Sequence, residues 1–371
     1  MKARLLLLLT CAFAIGFVPA GYAAKHSKHK ADIRVAFLDS CSIDPTRFAE
    51  RACYLKTDVV PGFVPGNLFS GGDPKCGSRQ LNQEQINTLA KAYRLAPEHI
   101  KQKLCNVKRL FLTEDDYGSW GLWEARDSAE HNPEHGGTET NRLFIAISDK
   151  ALSESLNTLH ANILAKLLNT NELTAIARFE GAGTDDPAWA ALALLAHELG
   201  HILVGVSDAD GFDPRHPRRK PEVGSGEPPS QCFDTVILAK YWQRNLFLSE
   251  MKRFVGFGEQ NPNRQKNIQF ILDELRGHPV EANNALRALY RSKEFPSGVA
   301  AVSPVEHLVV TFEFKVLADA LPESGMQRLS IKLPTQTTSM TLNQFLSAKT
   351  LSPQVDCLRA LGMIPMIRSR H

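Results

Sequence analysis

The sequence contains the segment Asp186-Pro-Ala-Trp-Ala-Ala-Leu-Ala-Leu-Leu-Ala-His-Glu-Leu-Gly-His-Ile-Leu-Val-Gly-Val206. Asp followed by Pro is typical of a helix N-terminus, with Asp as the N-cap and Pro in the first turn. The Ala- and Leu-rich run behind it predicts a buried helix. His197, Glu198 and His201 interrupt this apolar run, and their burial would be costly unless they had partners there.

The spacing of these polar residues suits a metal ion. His197 and His201 are four residues apart, so they lie on one face of the predicted helix, one turn from each other. Two imidazoles so placed can bind one zinc ion at ~2.0–2.1 Å from each nitrogen. Glu198 is rotated by ~100° from His197, which suits a general base acting on water rather than a ligand. We therefore predict His197 and His201 as Zn²⁺ ligands and Glu198 as the catalytic residue.

Gly200 lies inside the same motif. A glycine within a helix costs ~1 kcal/mol relative to alanine, so its presence indicates that another part of the chain comes close at this point.

Short strands and helices surround the predicted metal-binding helix. Runs rich in β-branched and aromatic residues predict strands over 107–113, 119–125, 143–148 and 173–179. Apolar spacings of three and four predict a helix over 152–167 and several helices after residue 233, among them 305–317. We expect an α+β fold in which a small mixed sheet packs on the motif-bearing helix, followed by a mainly helical C-terminal part.

A catalytic zinc ion usually has three protein ligands and one open position. Seven and ten residues after His197, where metzincins have Gly and then His or Asp, the chain has Val204 and Ser207. Glu222 and Glu227 are near enough in sequence to be ligands, but they lie in a proline-rich stretch. Asp234, at the start of a predicted helix, remains possible.

Three stretches carry a resemblance to a known family. They are Leu195-Ala-His-Glu-Leu-Gly-His-Ile-Leu203, Cys232-Phe233 with Tyr241-Trp242, and Ser303-Pro-Val-Glu-His-Leu-Val-Val-Thr-Phe-Glu-Phe-Lys-Val-Leu317. The chain resembles a family of bacterial exported metallopeptidase-like proteins of the zincin (HExxH) type, which is itself similar to the lethal-factor-like gluzincins. The resemblance covers roughly the C-terminal half, and it implies a zincin-like fold, a zinc ion and hydrolysis of peptide bonds.

The resemblance also bears on the third ligand. The family's last segment typically reads Ser-Pro-x-Glu-Asp-Phe-x-Glu-Thr-Phe, which implies that the Glu before Thr binds the metal. This chain has Val310 at that position and His307 in place of the Asp. Glu306, His307 and Glu313 are close enough to position 310 on a helix to replace the missing ligand. We predict Glu306 as the third ligand and His307 as the second choice, with Glu313 and Asp234 as further alternatives.

The first 24 residues differ from the rest of the chain. Lys2 and Arg4 precede an apolar run, and small residues follow near Ala23, which is the layout of a secretory signal peptide. We expect cleavage there, export to a periplasm or out of the cell, and no stable membrane insertion afterwards.

Six cysteines follow the predicted signal peptide. An even number in an exported protein predicts disulfides. Proximity in the chain favours Cys41–Cys53 and Cys76–Cys105, which leaves Cys232–Cys357.

We divide the chain into the signal peptide (1–24), a cysteine-containing irregular and helical region (25–106) and a metallopeptidase-like domain (107–371) with a long loop over 207–231. The net charge of +3 is too small to indicate a nucleic-acid partner, so the expected partner is a peptide or protein substrate.

The predicted function is zinc-dependent hydrolysis of peptide bonds. The alternatives are a catalytically silent zincin-fold binding protein, favoured by Val310, and a metal-dependent amidase acting on a non-peptide amide. Tyr241, Tyr290 and His307 are candidates for stabilising the oxyanion.

Overall fold

A computed structural model describes residues 41–56, 76–107, 109–114, 120–124, 142–181, 183–206, 232–233, 235–237, 275–301, 304–320 and 328–366. Several predictions lie outside these residues: the signal peptide, the loop 207–231 with Glu222 and Glu227, Asp234 and Tyr241.

The described residues form short strands and helices that are mixed along the chain. The strands are β1 (Ala52–Tyr54), β2 (Arg109–Thr113), β3 (Trp120–Glu124), β4 (Arg142–Ser148), β5 (Arg178–Glu180), β6 (Ser330–Lys332) and β7 (Met340–Thr341). The helices are α1 (Pro45–Ala49), α2 (Gln83–Leu95), α3 (Glu98–Cys105), α4 (Leu156–Leu168), α5 (Pro187–Val206), α6 (Pro279–Ser292), α7 (Pro304–Asp319), α8 (Leu342–Leu346) and α9 (Ser352–Ala360).

The larger sheet lies against α5. Its strand order is β1-β2-β4-β3. β2 pairs in parallel with both β1 and β4, whereas β3 pairs antiparallel with β4 and ends the order. Because α5 contacts β3 and β4, the expected α+β class, with a small mixed sheet packed on the motif-bearing helix, is confirmed.

The cysteine-containing region shares this sheet and its core. β1 precedes residue 107 and β2 follows it, yet the two strands are neighbours. Phe48 and Leu89 belong to the same hydrophobic cluster as Leu195 and Phe312. The chain on both sides of residue 107 therefore contributes to one core around α5.

α5 begins as its sequence predicts. The backbone N of Ala188 donates to Oδ1 of Asp186 at 2.9 Å, and Asp186 also pairs with Lys91 on α2. Every residue from Ala188 to Ala196 is buried. Even so, no helix among the described residues is long and apolar enough to span a membrane.

The predicted strand 173–179 is wrong except at its end. β5 covers only Arg178–Glu180 and forms a separate antiparallel sheet with β6 and β7. Ahead of it, the backbone N–H groups of Thr174 and Ala175 donate to Oδ1 of Asn283 on α6, at 2.7 and 2.8 Å. Because a side chain satisfies these donors, they are not available to a neighbouring strand.

The disulfides are Cys41–Cys105, Cys53–Cys76 and Cys232–Cys357, with Cα–Cα distances of 5.5–5.7 Å. The last confirms its prediction, and the other two predicted pairs are wrong. Leu55 forms an isolated β-bridge with Cys76, which brings Cys76 beside β1 and so beside Cys53. Distance along the chain alone therefore does not predict the pairing of Cys53 with Cys76.

Asn283→Ala tests the link between α6 and the segment before β5. Asn283 is buried, and its amide also donates to the carbonyls of Glu172 and Pro279. Because these buried groups would lose their partners, we expect the free energy of unfolding to fall by about 2–3 kcal/mol. Urea denaturation measures it. Asn284→Ala on the same helix is the matched control and should change it by less than about 0.5 kcal/mol. Equal losses in both variants would contradict the assignment.

Candidate metal centre

The candidate centre lies where α5 and α7 cross. A Cβ atom placed on Gly200 would be 3.1 Å from Cδ1 of Phe312 and 3.1 Å from Cγ1 of Val309. α7 is therefore the element whose close approach the glycine indicated. Glu306 and Glu313 lie on α7 on either side of this contact, about two turns apart.

Glu306 meets both histidines of the motif. Its Oε2 is 3.3 Å from Nε2 of His197, and its Oε1 is 3.2 Å from Nε2 of His201. The two Nε2 atoms are themselves 3.3 Å apart. His197, His201 and Glu306 thus form a group whose potential ligand atoms lie within 4.8 Å of one another. The structure brings together the three residues predicted as metal ligands.

These distances fit zinc. In a tetrahedral site with bonds of ~2.0–2.1 Å, neighbouring ligand atoms are ~3.3–3.4 Å apart. The two Nε2 atoms are 3.3 Å apart, which matches one edge of such a tetrahedron, and each of them lies 3.2–3.3 Å from a different oxygen of Glu306. The donor types and their spacing therefore fit a zinc ion.

The three residues form a partly buried cluster of ionisable groups. Burial alone would lower the pKa of His197, but contacts with Glu306 and Glu313 outweigh it and raise that pKa well above its ordinary value. Burial would also lower the pKa of His201, but Glu306 and, to a smaller extent, Glu198 outweigh this effect, so that the pKa of His201 is raised. Burial would raise the pKa of Glu306, but His201 and His197 lower it. Protons on the imidazoles therefore compete with a metal for the same nitrogen atoms.

Glu313 lies behind His197 rather than among the potential ligand atoms. Its Oε2 is 3.1 Å from Nδ1 of His197, and its Oε1 is 3.1 Å from Nε2 of His160 on α4. An ionised carboxylate only accepts hydrogen bonds, so Nδ1 of His197 carries the proton of this bond. Nε2 of the same ring is left to face Glu306 and His201. A carboxylate on the outer nitrogen of a ligand histidine is the usual support of a metal site.

Glu198 lies on α5 between the two histidines in sequence. It is only 1 % exposed. Burial lowers the pKa values of His197 and His201, Glu306 raises both, and the charge of Glu198 adds a smaller increase. The predicted base therefore lies close enough to act electrostatically on the ligand cluster.

His307 is not among the ligands that the structure brings together. Its ring is fully buried, stacks on Phe295 at 4.3 Å, and donates from Nε2 to the carbonyl oxygen of Glu294 at 3.1 Å. The physical reason is helix rotation, since neighbouring residues point ~100° apart and Glu306 faces α5. Tyr290 is likewise buried and hydrogen bonds to backbone groups of other segments. Neither is shown at the cluster as an oxyanion donor.

Sequence reasoning missed His160. Its signal was an imidazole on the apolar face of a predicted helix, where Leu156, Leu159 and Leu167 recur. Such a residue indicates a buried polar partner, although the sequence does not name it.

Gly200→Ala tests the role of the helix crossing. Alanine would favour the helix by ~1 kcal/mol, but its Cβ would force Val309 and Phe312 away. Overpacking of this kind costs about 1–3 kcal/mol. We expect the ligand atoms to separate and the affinity for Zn²⁺ to fall about tenfold, the equivalent of ~1.4 kcal/mol, with unchanged helix content. Competition with a chromophoric chelator measures it.

Gly277→Ala is the control for that variant. Gly277 has φ +74°, and a Cβ atom placed on it would have no neighbouring atom within 4 Å, so the substitution strains the backbone away from the site. It should lower stability by about 1–2 kcal/mol and leave zinc affinity unchanged. An unchanged zinc affinity in Gly200→Ala would show that the crossing does not set the ligand spacing.

The burial of His307 predicts acid sensitivity. Burial lowers the pKa of His307 to about 3, whereas an imidazole in an unfolded chain titrates near ~6.5. Between these values the unfolded state binds more protons, so the free energy of unfolding of the metal-free protein falls as the pH is lowered through this window. His307→Gln should make this fall smaller. Urea denaturation at several pH values between about 7 and 4 measures it, and parallel pH dependences would contradict the prediction.

The candidate centre consists of two imidazoles and a carboxylate, with Glu198 beside them. Two histidines and one glutamate form the ligand set of a known class of catalytic zinc sites. No protein-family model, curated protein or solved structure matches the chain.

Proposed function

We propose that this protein is a zinc-dependent hydrolase of the zincin type, specifically a metallopeptidase. The observation that carries the proposal is the convergence of His197, His201 and Glu306: the two Nε2 atoms are 3.3 Å apart, and each lies 3.2–3.3 Å from an oxygen of the Glu306 carboxylate. Glu198 accompanies it at the position of a general base in the HExxH arrangement.

Each residue of the cluster has a separate task. Zinc, when bound, supplies Lewis-acid polarisation of a substrate carbonyl and makes water easier to deprotonate. Glu198 accepts the proton of the attacking water and delivers it to the leaving amine. Glu306 and the two histidines would hold the ion, and Glu313 keeps the proton of His197 on Nδ1, so that Nε2 offers its lone pair.

The sheet supports a peptide as the substrate. In the part of the chain that the structure describes, β3 pairs only with β4, and it contacts α5. An extended peptide can add to the open edge of such a strand through main-chain hydrogen bonds. β5, the last strand before α5 in the chain, pairs with β6 instead. We therefore assign the substrate-binding edge to β3.

A catalytically silent binding protein is the second candidate, because the family resemblance assigns a ligand to the position of Val310. That side chain is 1 % exposed and belongs to the apolar core. Glu306, one turn earlier, supplies a carboxylate to the cluster. This compensation favours the hydrolase. A non-peptide amidase would use the same residues, and the choice of substrate in the experiment separates it.

The cysteine pairs support export. Three disulfides among the described residues fit an oxidising compartment outside the cytoplasm. We propose that the protein works in a periplasm or outside the cell.

Metal content tests the site. We expect the purified mature protein to bind zinc in a one-to-one ratio and His201→Ala and Glu306→Gln to lose most of it, because each removes a ligand. Glu281→Gln on α6 makes the same exchange of a carboxylate for an amide outside the cluster; it is the matched control and should retain the metal. Elemental analysis after dialysis against trace zinc measures the ratio. A wild-type protein without metal would overturn the proposal.

Glu198→Gln tests the chemistry. The amide keeps the shape of the side chain but cannot accept the proton, so we expect zinc to stay bound and peptide hydrolysis to fall about 10²–10⁴-fold. Mass-spectrometric analysis of a mixed peptide library measures cleavage. Zinc binding without cleavage of any peptide would contradict the peptidase. Hydrolysis of N-acyl amino sugars in its place would identify an amidase.

A further inference from the structure

A line of polar contacts connects three helices behind the candidate centre. It runs from His160 on α4 through Glu313 on α7 to His197 on α5, with both contacts at 3.1 Å. The proposed hydrolysis uses only its last member directly. His160 is a buried polar residue with no role in that chemistry.

The surroundings of His160 are apolar. The residue is 8 % exposed, and its ring packs beside those of Phe179 and Phe314, at centroid distances of 4.9 and 5.8 Å, while these two rings also contact each other. A phenylalanine would fill this space with the same ring contacts and without the cost of burying a polar group. The polar ring is therefore explained by what it contacts, which is Glu313.

Glu313 needs both of its neighbours. The carboxylate is buried, and its two oxygens lie 3.1 Å from Nδ1 of His197 and from Nε2 of His160. The terminal torsion of a glutamate side chain is broad, so one contact alone leaves the carboxylate free to rotate. With His160 at Oε1, rotation is restricted, and Oε2 stays on Nδ1 of His197.

We propose that His160 is a positioning residue for the metal ligand His197 and acts through Glu313. By fixing the plane of the Glu313 carboxylate, it holds the His197 ring in the orientation in which Nε2 faces Glu306 and His201. The consequence for metal binding rests on the proposed zinc site. The effect on His197 itself does not, and it is measurable in the metal-free protein.

Two substitutions separate positioning from packing. His160→Leu introduces an apolar side chain of similar size and so removes the polar contact with Glu313. His160→Gln places an amide nitrogen near the position of Nε2 and preserves the contact. His99→Leu is the matched control, since His99 on α3 is also a partly buried histidine but has no part in the ligand cluster. If His160→Leu does not fold, His160→Phe fills the same space beside the two phenylalanine rings.

The first readout is NMR of metal-free protein labelled with ¹⁵N-histidine. The proton that Nδ1 of His197 donates to a carboxylate should give a downfield, slowly exchanging signal, assigned by its absence in His197→Ala. We expect this signal in the wild type, in His160→Gln and in His99→Leu. In His160→Leu it should shift upfield and broaden by exchange. An unchanged signal in His160→Leu would overturn the proposal.

The second readout is the zinc dissociation constant. We expect His160→Leu to weaken zinc binding about tenfold, at the lower end for residues that support ligands, and His160→Gln and His99→Leu to stay within about twofold. Equal losses in His160→Leu and His99→Leu would indicate general destabilisation and contradict positioning. A wild type that binds no zinc, but whose His197 signal responds to His160→Leu, would overturn the zinc hydrolase while supporting the positioning of His197.

Discussion

The contact between Gly200 and α7 sets the geometry of the whole centre. The absent side chain lets Val309 and Phe312 reach the backbone of α5, and the apolar contact stabilises a crossing that the charged residues alone would not. The attraction between buried carboxylates and imidazoles often does not exceed the free energy lost when these groups leave water. Here the hydrophobic crossing holds Glu306 and Glu313 against the histidines, and the polar contacts follow from it.

The opposite face of α7 is held by a second, uncharged network. Oγ1 of Thr311 donates to Oε1 of Gln354 at 2.8 Å, and Nε2 of Gln354 donates to the carbonyl oxygen of Glu294 at 2.7 Å. His307 donates to the same carbonyl. These bonds tie α7 to α9 and to the end of α6, and α9 is in turn linked to Cys232 by a disulfide. The rotation of α7, and so the direction of Glu306, is fixed from both sides.

Features within one helical turn could be predicted from the sequence. The spacing of His197 and His201, the N-cap at Asp186 and the capping box at Asn82 need only their neighbours in the chain. The choice between Glu306 and His307 needs the rotation of α7, which depends on α5 and α9. The pairing of Cys41 with Cys105 needs the residues around α1 to reach the end of α3, where Arg51 donates to the carbonyl oxygen of Cys105. The role of His160 needs the packing of α4 behind α7. These contacts join residues that are far apart in the chain, so the spacing of neighbouring residues does not predict them.

The arrangement of the nitrogen atoms is the feature on which the proposed metal site rests. The Nε2 atoms of His197 and His201 both face the carboxylate of Glu306 and lie only 3.3 Å apart. Two protonated rings at this distance repel each other, and a cation held by the two lone pairs would remove that repulsion. The side chains of His201 and Glu306 are 26 % and 21 % exposed, against 14 % for His197. The side of the cluster that His201 and Glu306 form is thus the side more open to solvent, and it is the side from which a substrate of the proposed hydrolase would approach.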